Sequence, residues 1–194
     1  MNIIIFGPPL AGKGTQSKRI LQKFGLTHLS TGDALRAEKE KGTDLGEEAA
    51  KYSKKGLLAP DHLVSKVVER FYNERNSGKG ILFDGYPRNT EQAKHLFAII
   101  EGSGDKIDKL IYLKVTEDEL LKRAEKRAEE EGREDDKNSD IVLTRIEEFS
   151  KSTVPAINWL IEQGIDTITV NGNNDIDTIS NEIIEGITKS NAET

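Results

Sequence analysis

Five short apolar runs punctuate an otherwise polar chain, at residues 2–6 (NIIIF), 27–30 (THLS), 80–84 (GILFD), 109–115 (KLIYLKV) and 166–171 (DTITVN). The first, third and fourth are nearly unbroken in Ile, Leu, Phe and Val, the pattern of strands covered on both faces. Between the runs, apolar positions recur at helical spacing. KGTQSKRILQKFG predicts a helix that stops at Gly25, and NTEQAKHLFAIIEG one capped by Asn89 or Thr90. TEDELLKRAEKRAEEEG predicts another that opens on a capping box, Thr116 with Glu119, and stops at Gly132. Strands alternating with helices make an α/β chain with a doubly wound parallel sheet. Two stretches break the alternation. Residues 31–60 carry helical patterns without a strand and end in GLLAPD, and 126–138 are almost wholly charged. Both are expected as insertions at the rim of the sheet, and the tail KSNAET is expected to fray.

Composition narrows the function. A chain of 194 residues is long enough for one well-buried core. The absence of cysteine excludes disulfides and thiolate metal sites and fits a reducing compartment. His28, His62 and His95 have no ligand spacing between them, so zinc is not expected. No apolar run approaches the roughly 20 residues that span a bilayer, and MNIIIFGPP lacks a basic leader. A soluble, cytoplasmic protein without a membrane partner is the expectation. The net charge of −6 argues against a nucleic-acid partner. An anionic ligand has to be caught by local clusters of positive charge.

Such a cluster begins at GPPLAGKGT, residues 7–15. A G-x-x-x-x-G-K loop between a strand and a helix points backbone N–H groups at a phosphate chain, and the helix N-terminus adds partial positive charge. Gly7, Gly12 and Lys13 match that spacing; the hydroxyl comes one residue later than usual, at Thr15. The competing reading, a glycine-rich turn with a solvent-facing lysine, does not account for the apolar strand before the loop or the helix after it. Thr15 is a hard-oxygen candidate for Mg²⁺. Asp84 ends the apolar run 80–84, where ligands gather at the carboxyl ends of parallel strands; as a plain helix cap it would need no phosphate loop nearby. No Asn-Lys-x-Asp pattern is present, which argues against a GTP switch.

Arginine grips phosphate with two oxygens at once. Arg36 follows STGDAL, Arg88 closes DGYPR, Arg123 and Arg127 lie four apart on one helix face, Arg133 falls in the charged insertion and Arg145 on the helix beyond. A single arginine here would read as a surface salt bridge to EEE or EDD, but this set follows a phosphate loop. Arg19, Arg70 and Arg75 have no such context and read as surface residues. Many donors without a Ser–His–Asp candidate is the inventory of phosphoryl transfer.

With these pieces in place the chain closely resembles the adenylate kinases of the short-lid type, along nearly its whole length. GPPLAGKGTQ resembles their ATP loop, LSTGDALR and GLLAPD the segments that open and close their monophosphate-binding flap, DGYPRNTEQA the stretch that seats AMP, and KRAEEEGREDD an abbreviated lid. The resemblance implies a P-loop three-layer fold, a five-stranded parallel sheet flanked by helices. Residues 1–29, 60–125 and 138–194 would form the core, 30–59 the AMP-binding subdomain and 126–137 the lid. It implies Mg·ATP + AMP ⇌ 2 ADP, in adenine nucleotide homeostasis and AMP salvage, by a monomer.

Roles follow by resemblance. Lys13, with Leu10, Ala11, Gly12, Gly14 and Thr15, would hold the ATP phosphates; Arg123 would lie against the ATP base, Arg127 on its phosphates, and the backbone near Asn174 along its adenine. Thr31, Arg36, Gly56, Leu57, Leu58, Ala59, Gly85, Arg88 and Gln92 would bind AMP, Gln92 reading the adenine edge. Arg133 and Arg145 would bridge both nucleotides, and Thr15 and Asp84 would hold Mg²⁺ largely through water. Lys13, Arg88, Arg127, Arg133 and Arg145 would be the catalytic set. Gly32, Gly42, Gly46, Gly56 and Gly132 are candidate pivots for flap closure.

Three departures matter. Leu10 stands where the family has glycine, and a positive φ there costs on the order of 1 kcal/mol; its side chain is expected to turn outward. Tyr86 replaces the commoner phenylalanine, and DDKNSD is one residue longer before the Arg145 helix. Asn89 is also found in the related UMP/CMP kinases, but Gln92 with Thr31 favours adenine. A nucleotide-binding regulator without turnover would be expected to have lost catalytic charges that this chain keeps.

Overall fold

The computed structural model describes residues 1–74, 79–131 and 138–190. Five strands, β1 (Ile3–Phe6), β2 (Thr27–Ser30), β3 (Ile81–Asp84), β4 (Lys109–Lys114) and β5 (Thr167–Asn171), pair in the order β2-β3-β1-β4-β5. Every pairing is parallel. The five apolar runs are thus the five strands, and the reason is visible in their alternation. Ile4, Phe6, Phe83 and Leu110 belong to a core on one face of the sheet, while Ile3, Ile5, Leu82, Ile111 and Leu113 belong to a second core on the other. A strand that must fill both faces has no polar positions to spare.

The helices supply the two outer layers. Helices α1 (Lys13–Phe24) and α9 (Ile176–Ser190) bury Ile20, Ile179, Ile183 and Ile187 in the second core. Helices α4 (Asp61–Glu74), α5 (Thr90–Gly102) and α8 (Val154–Glu162) bury Val64, Val68, Leu96, Ile100, Ile157 and Leu160 in the first. Trp159 packs there too, edge-on to Phe97 at 5.7 Å between ring centroids. The chain leaves β1 through α1 on one face and β3 through α5 on the opposite face, although β1 and β3 are neighbours. Connections that part in this way open a crevice at the carboxyl ends of the strands.

Helix ends follow the expected chemistry with one exception. Gly25 closes α1 at φ 66°, its N–H on the Leu21 carbonyl, and Asn89 caps α5 by accepting the Gln92 N–H at 2.8 Å. The capping box expected at Thr116 and Glu119 is not formed at α6 (Glu117–Glu131). The Thr116 N–H goes instead to Asn173 Oδ1 at 3.2 Å, and Glu119 holds Arg123 at 2.9 Å. Beyond residue 137, α7 (Ser139–Glu148) runs through a π-helical turn, Phe149–Thr153, into α8.

The strandless stretch 31–60 is a helical pair, α2 (Thr31–Glu40) and α3 (Asp44–Ser53). Ser30 caps the first and Thr43 the second, and Gly42 turns between them at φ 68°. Gly46, expected as a pivot, lies inside α3 against α2, where a methyl group would overlap the backbone of Lys39. It is a packing glycine. Gly46→Ala should therefore force the two helices apart, lowering Tm by several degrees through an overpacking cost of about 1–3 kcal/mol. Hydrogen exchange should quicken in residues 31–53 and hold steady in the sheet; unchanged protection of both helices would contradict this packing.

Candidate active site

The phosphate loop is built by close approach. A side chain at Gly7 would meet Ala11 and Leu113 at 3.0 and 3.2 Å, so the loop lies flat against β4. Gly12 starts α1 at φ 88° and the helix has no side-chain cap, leaving its N-terminal dipole for a ligand. Lys13 Nζ donates to the carbonyls of Gly7 and Pro8 at 2.7 and 3.0 Å, folding back over the loop. Desolvation lowers the pKa of Lys13 to about 8; Asp84 opposes that shift, and Arg88, Arg145 and Arg127 add to it as like charges. One electrostatic cluster thus joins a loop after β1, a loop after β3 and two later helices.

Asp84 is 9% exposed. It accepts the Ser17 hydroxyl at 3.0 Å and lies 3.5 Å from His28 Nε2. Burial pushes its pKa up, but His28, Lys13 and Ser17 outweigh burial and hold it below the usual range. The sequence offers no Ser–His–Asp candidate by pattern, and here the fold brings those three types together. The order is wrong for a nucleophile: the Ser17 hydroxyl donates straight to the carboxylate and is fully buried. Ser17 and His28 orient Asp84, and no local sequence signal marks them.

The loop after β3 gathers a second group of the residues singled out in the sequence. Arg88 Nε donates to Gly85 O at 2.8 Å, and the buried Thr31 hydroxyl reaches the same carbonyl at 2.7 Å. At Gly85, φ 81°, a side chain would meet Thr31 Oγ1 and Arg88 Nη2, both at 3.1 Å. Arg88 keeps contact with solvent on the cleft floor. Desolvation by the surrounding protein and the neighbouring charges of Arg145 and Arg36 lower its pKa against the pull of Asp84. The Thr153 hydroxyl in the π turn donates to Arg88 O at 2.8 Å, tying this loop to the helix that carries Arg145. Gln92 is 2% exposed. Its carbonyl accepts the Arg88 N–H at 2.8 Å and its amide donates to Asp61 at 2.7 Å. One N–H and one lone pair of that amide are left for a ligand. Asp61, which also holds Asn89 at 2.8 Å, was not signalled by the sequence.

The helical pair α2–α3 and the segment after it contribute less. Arg36 is exposed and paired with Asp33 on its own helix. Gly56, at φ 73°, packs on α7, where a side chain would meet Ile141 O at 3.1 Å and Arg145 Cγ at 3.2 Å; Leu57 is exposed, and Leu58 and Ala59 are half-buried. On the other side, Arg123 Nη2 donates to Gly172 O at 2.7 Å. The loop carrying Asn174 is turned by the Asn171 side chain accepting the Asn173 N–H at 3.1 Å. Gly14 and Thr15 are exposed in the first turn of α1. Arg133 and Gly132 lie outside the described residues, as does Arg75. Arg19 is bonded to Asp177 and Ser180, and Arg70 to Glu74.

Leu10 departs from expectation. Its side chain does not turn outward; it is 8% exposed and packs with Leu120, Ala124 and Val142, while its backbone takes φ 68°. Burying a leucine is worth about 1.5–3 kcal/mol, enough to offset the strain. No group of three or more potential metal ligands occurs among the described residues. No helix among them is long and apolar enough to cross a membrane.

Protonation of Lys13 should govern anion binding. The charged form binds phosphate and is lost as pH rises through about 8, so affinity for inorganic tripolyphosphate should fall about tenfold from pH 7 to pH 9. The linkage to folding has the opposite sign. Above that pH the unfolded chain holds the extra proton up to 10.5, so this group favours the folded state as pH rises. Calorimetric titration across that range checks the binding; a flat profile, or the same slope in Lys13→Met, would assign the effect elsewhere.

A family model described as adenylate kinase matches residues 5–165 of the chain. The chain is also 42% identical over 164 residues to the adenylate kinase of Phocaeicola vulgatus, covering 84% of this chain and 86% of that one. It is 38% identical over 190 residues to the adenylate kinase of Hyphomonas neptunium, covering 98% and 100%. With the adenylate kinase of Maricaulis maris it shares 43% over 164 residues, 84% of this chain and 87% of that one.

Proposed function

We propose that this chain, which belongs to the adenylate kinase family, carries the terminal phosphoryl group of Mg·ATP onto AMP, in the cleft between the phosphate loop and the Arg88 loop. It is a phosphotransferase of the family's kind, whose reaction is the reversible conversion of ATP and AMP to two ADP. One observation carries the assignment of the site: Arg88, Arg127 and Arg145, from three different segments, each act electrostatically on Lys13, and Arg145 acts on Arg88 as well.

The first half-site, residues 10–15 with Arg123, Arg127 and the backbone near Asn174, takes ATP. The second, Thr31, Arg36, the segment 56–59, Gly85, Arg88 and Gln92, takes AMP. An oxygen of the AMP phosphate attacks the γ-phosphorus in line, the bond to the β–γ bridging oxygen breaks, and ADP leaves from each side. No covalent enzyme intermediate is needed. The cations position two anions that repel one another and neutralise the charge spread over the transferring group. Lys13 is charged when phosphate is beside it. Arg88 holds the acceptor, Arg127 the donor, and Arg145 stands beside both Lys13 and Arg88, as a bridging residue must.

Gln92 selects the base. A buried amide with one donor and one acceptor unspent matches the edge of adenine and leaves a mismatched base unpaired. The hydroxyl of Thr15 and the carboxylate of Asp84 are hard oxygens that fit Mg²⁺ held largely through water, and the bound ion would neutralise the donor phosphates. Residues 30–59 form the flap over AMP. The lid, 126–137, and the bridging role of Arg133 rest on the resemblance. Exclusion of water by closure keeps ATP from simple hydrolysis. The cellular role is adenine nucleotide homeostasis and AMP salvage, by a cytoplasmic monomer.

Separation of nucleotides after incubation with Mg·ATP and AMP, CMP, UMP or no acceptor tests this reading. ADP should form with AMP and not without acceptor, and Lys13→Ala should lower kcat by about 100-fold or more. Arg88→Ala should act mainly on the KM for AMP. Faster transfer to a pyrimidine nucleotide would refute the role of Gln92, and rapid hydrolysis without acceptor the exclusion of water.

A further inference from the structure

We propose that Leu10 is a positioning residue, whose capture between α6 and α7 holds the phosphate loop in its ATP-binding conformation; this rests on the ATP site proposed above. Among the described residues, Leu10 is the one non-glycine residue with positive φ. The Ala11 N–H donates to Pro8 O at 3.2 Å, closing a four-residue turn over residues 8–11. The ring of Pro9 fixes a negative φ at the second position, and Leu10 at the third has φ 68°. That combination is a type II turn, whose third position normally demands glycine.

A leucine left to itself favours the type I turn. The two types differ by reversal of the central peptide, here Pro9–Leu10. Reversal would exchange an N–H for a carbonyl oxygen in the wall of an anion site. The Leu10 side chain opposes it by packing among Leu120 and Ala124 of α6 and Val142 of α7, with Val115, Leu121 and Ile146 around them. Its carbonyl is approached by Arg123 Nη1 at 3.5 Å, while Nη2 of the same guanidinium holds Gly172 O at 2.7 Å. Glycine holds this φ without support. Leucine holds it only while its side chain is captured, so loop geometry in this chain depends on the packing of α6 and α7.

That dependence gives an order of effects opposite to simple packing. Leu10→Ala keeps the β-carbon penalty and loses the anchor, so it should weaken ATP about fivefold or more. Leu10→Gly removes more of the side chain yet should weaken ATP less. Leu120→Ala, which removes the anchor from the other side, should weaken ATP when Leu10 is intact. It should have little further effect once Leu10→Gly is also present. Leu10→Met, which conserves volume, should weaken ATP less than Leu10→Ala does. The KM for AMP should not follow this series.

The measurement is the dissociation constant for ATP by calorimetric titration without acceptor, with KM for ATP and for AMP in the transfer assay and Tm for each folded variant. The expected order and the rescue of Leu120→Ala by Leu10→Gly would establish the role. Leu10→Gly at least as damaging as Leu10→Ala, or equal ATP affinity throughout, would overturn it. If Leu120→Ala does not fold, the three substitutions at Leu10 still decide. Failure of the unsubstituted protein to use AMP would count against the proposed reaction, whereas ATP affinity tests the loop alone.

Discussion

Crowding of like charge at the carboxyl end of β1 is the constraint on which the site depends. Arg88, Arg127 and Arg145 act on Lys13 as like charges, Arg145 and Arg36 act so on Arg88, and Asp84 opposes the effect at both Lys13 and Arg88. Desolvation and this repulsion together bring the lysine down to a pKa of about 8. A folded protein holds such an arrangement only if packing elsewhere outweighs it, and a ligand that supplies negative charge relieves it. Polyphosphate chains supply charge of that sign.

Two cores hold the sheet from both faces, and the loops after β1 and β3 leave in opposite directions above it. Three groups of the site have a support from another part of the chain: Ser17 and His28 for Asp84, Thr153 for the Arg88 loop, Asp61 for Gln92. Transfer between two bound anions needs alignment rather than a reactive side chain, and these long-range supports supply it.

Much of this was legible in the sequence because it is encoded locally. Strands filled on both faces read as unbroken apolar runs, and the phosphate loop, the helix that carries Arg36 and the Arg88 loop follow directly on those runs. What was not legible depends on chain segments far apart in sequence. Nothing near Gln92 announces Asp61, and nothing near Asp84 announces Ser17 or His28. The capping box at Thr116 failed for the same reason, since Asn173 reaches its N–H from another loop. Leu10 was expected to face outward because its pocket is built from helices more than a hundred residues later in the chain. Local propensity set the cost of its backbone, and distant packing decided its direction.

We propose that one continuous cation cluster spans two nucleotide half-sites. Calorimetric titration with a dinucleotide in which two adenosines are joined by five phosphates tests it most directly. One molecule should bind per chain, more tightly than either ATP or AMP alone, with uptake of protons at pH 8 as Lys13 regains its charge. Two molecules per chain, or affinity no better than that for ATP, would mean that the half-sites do not form one cleft.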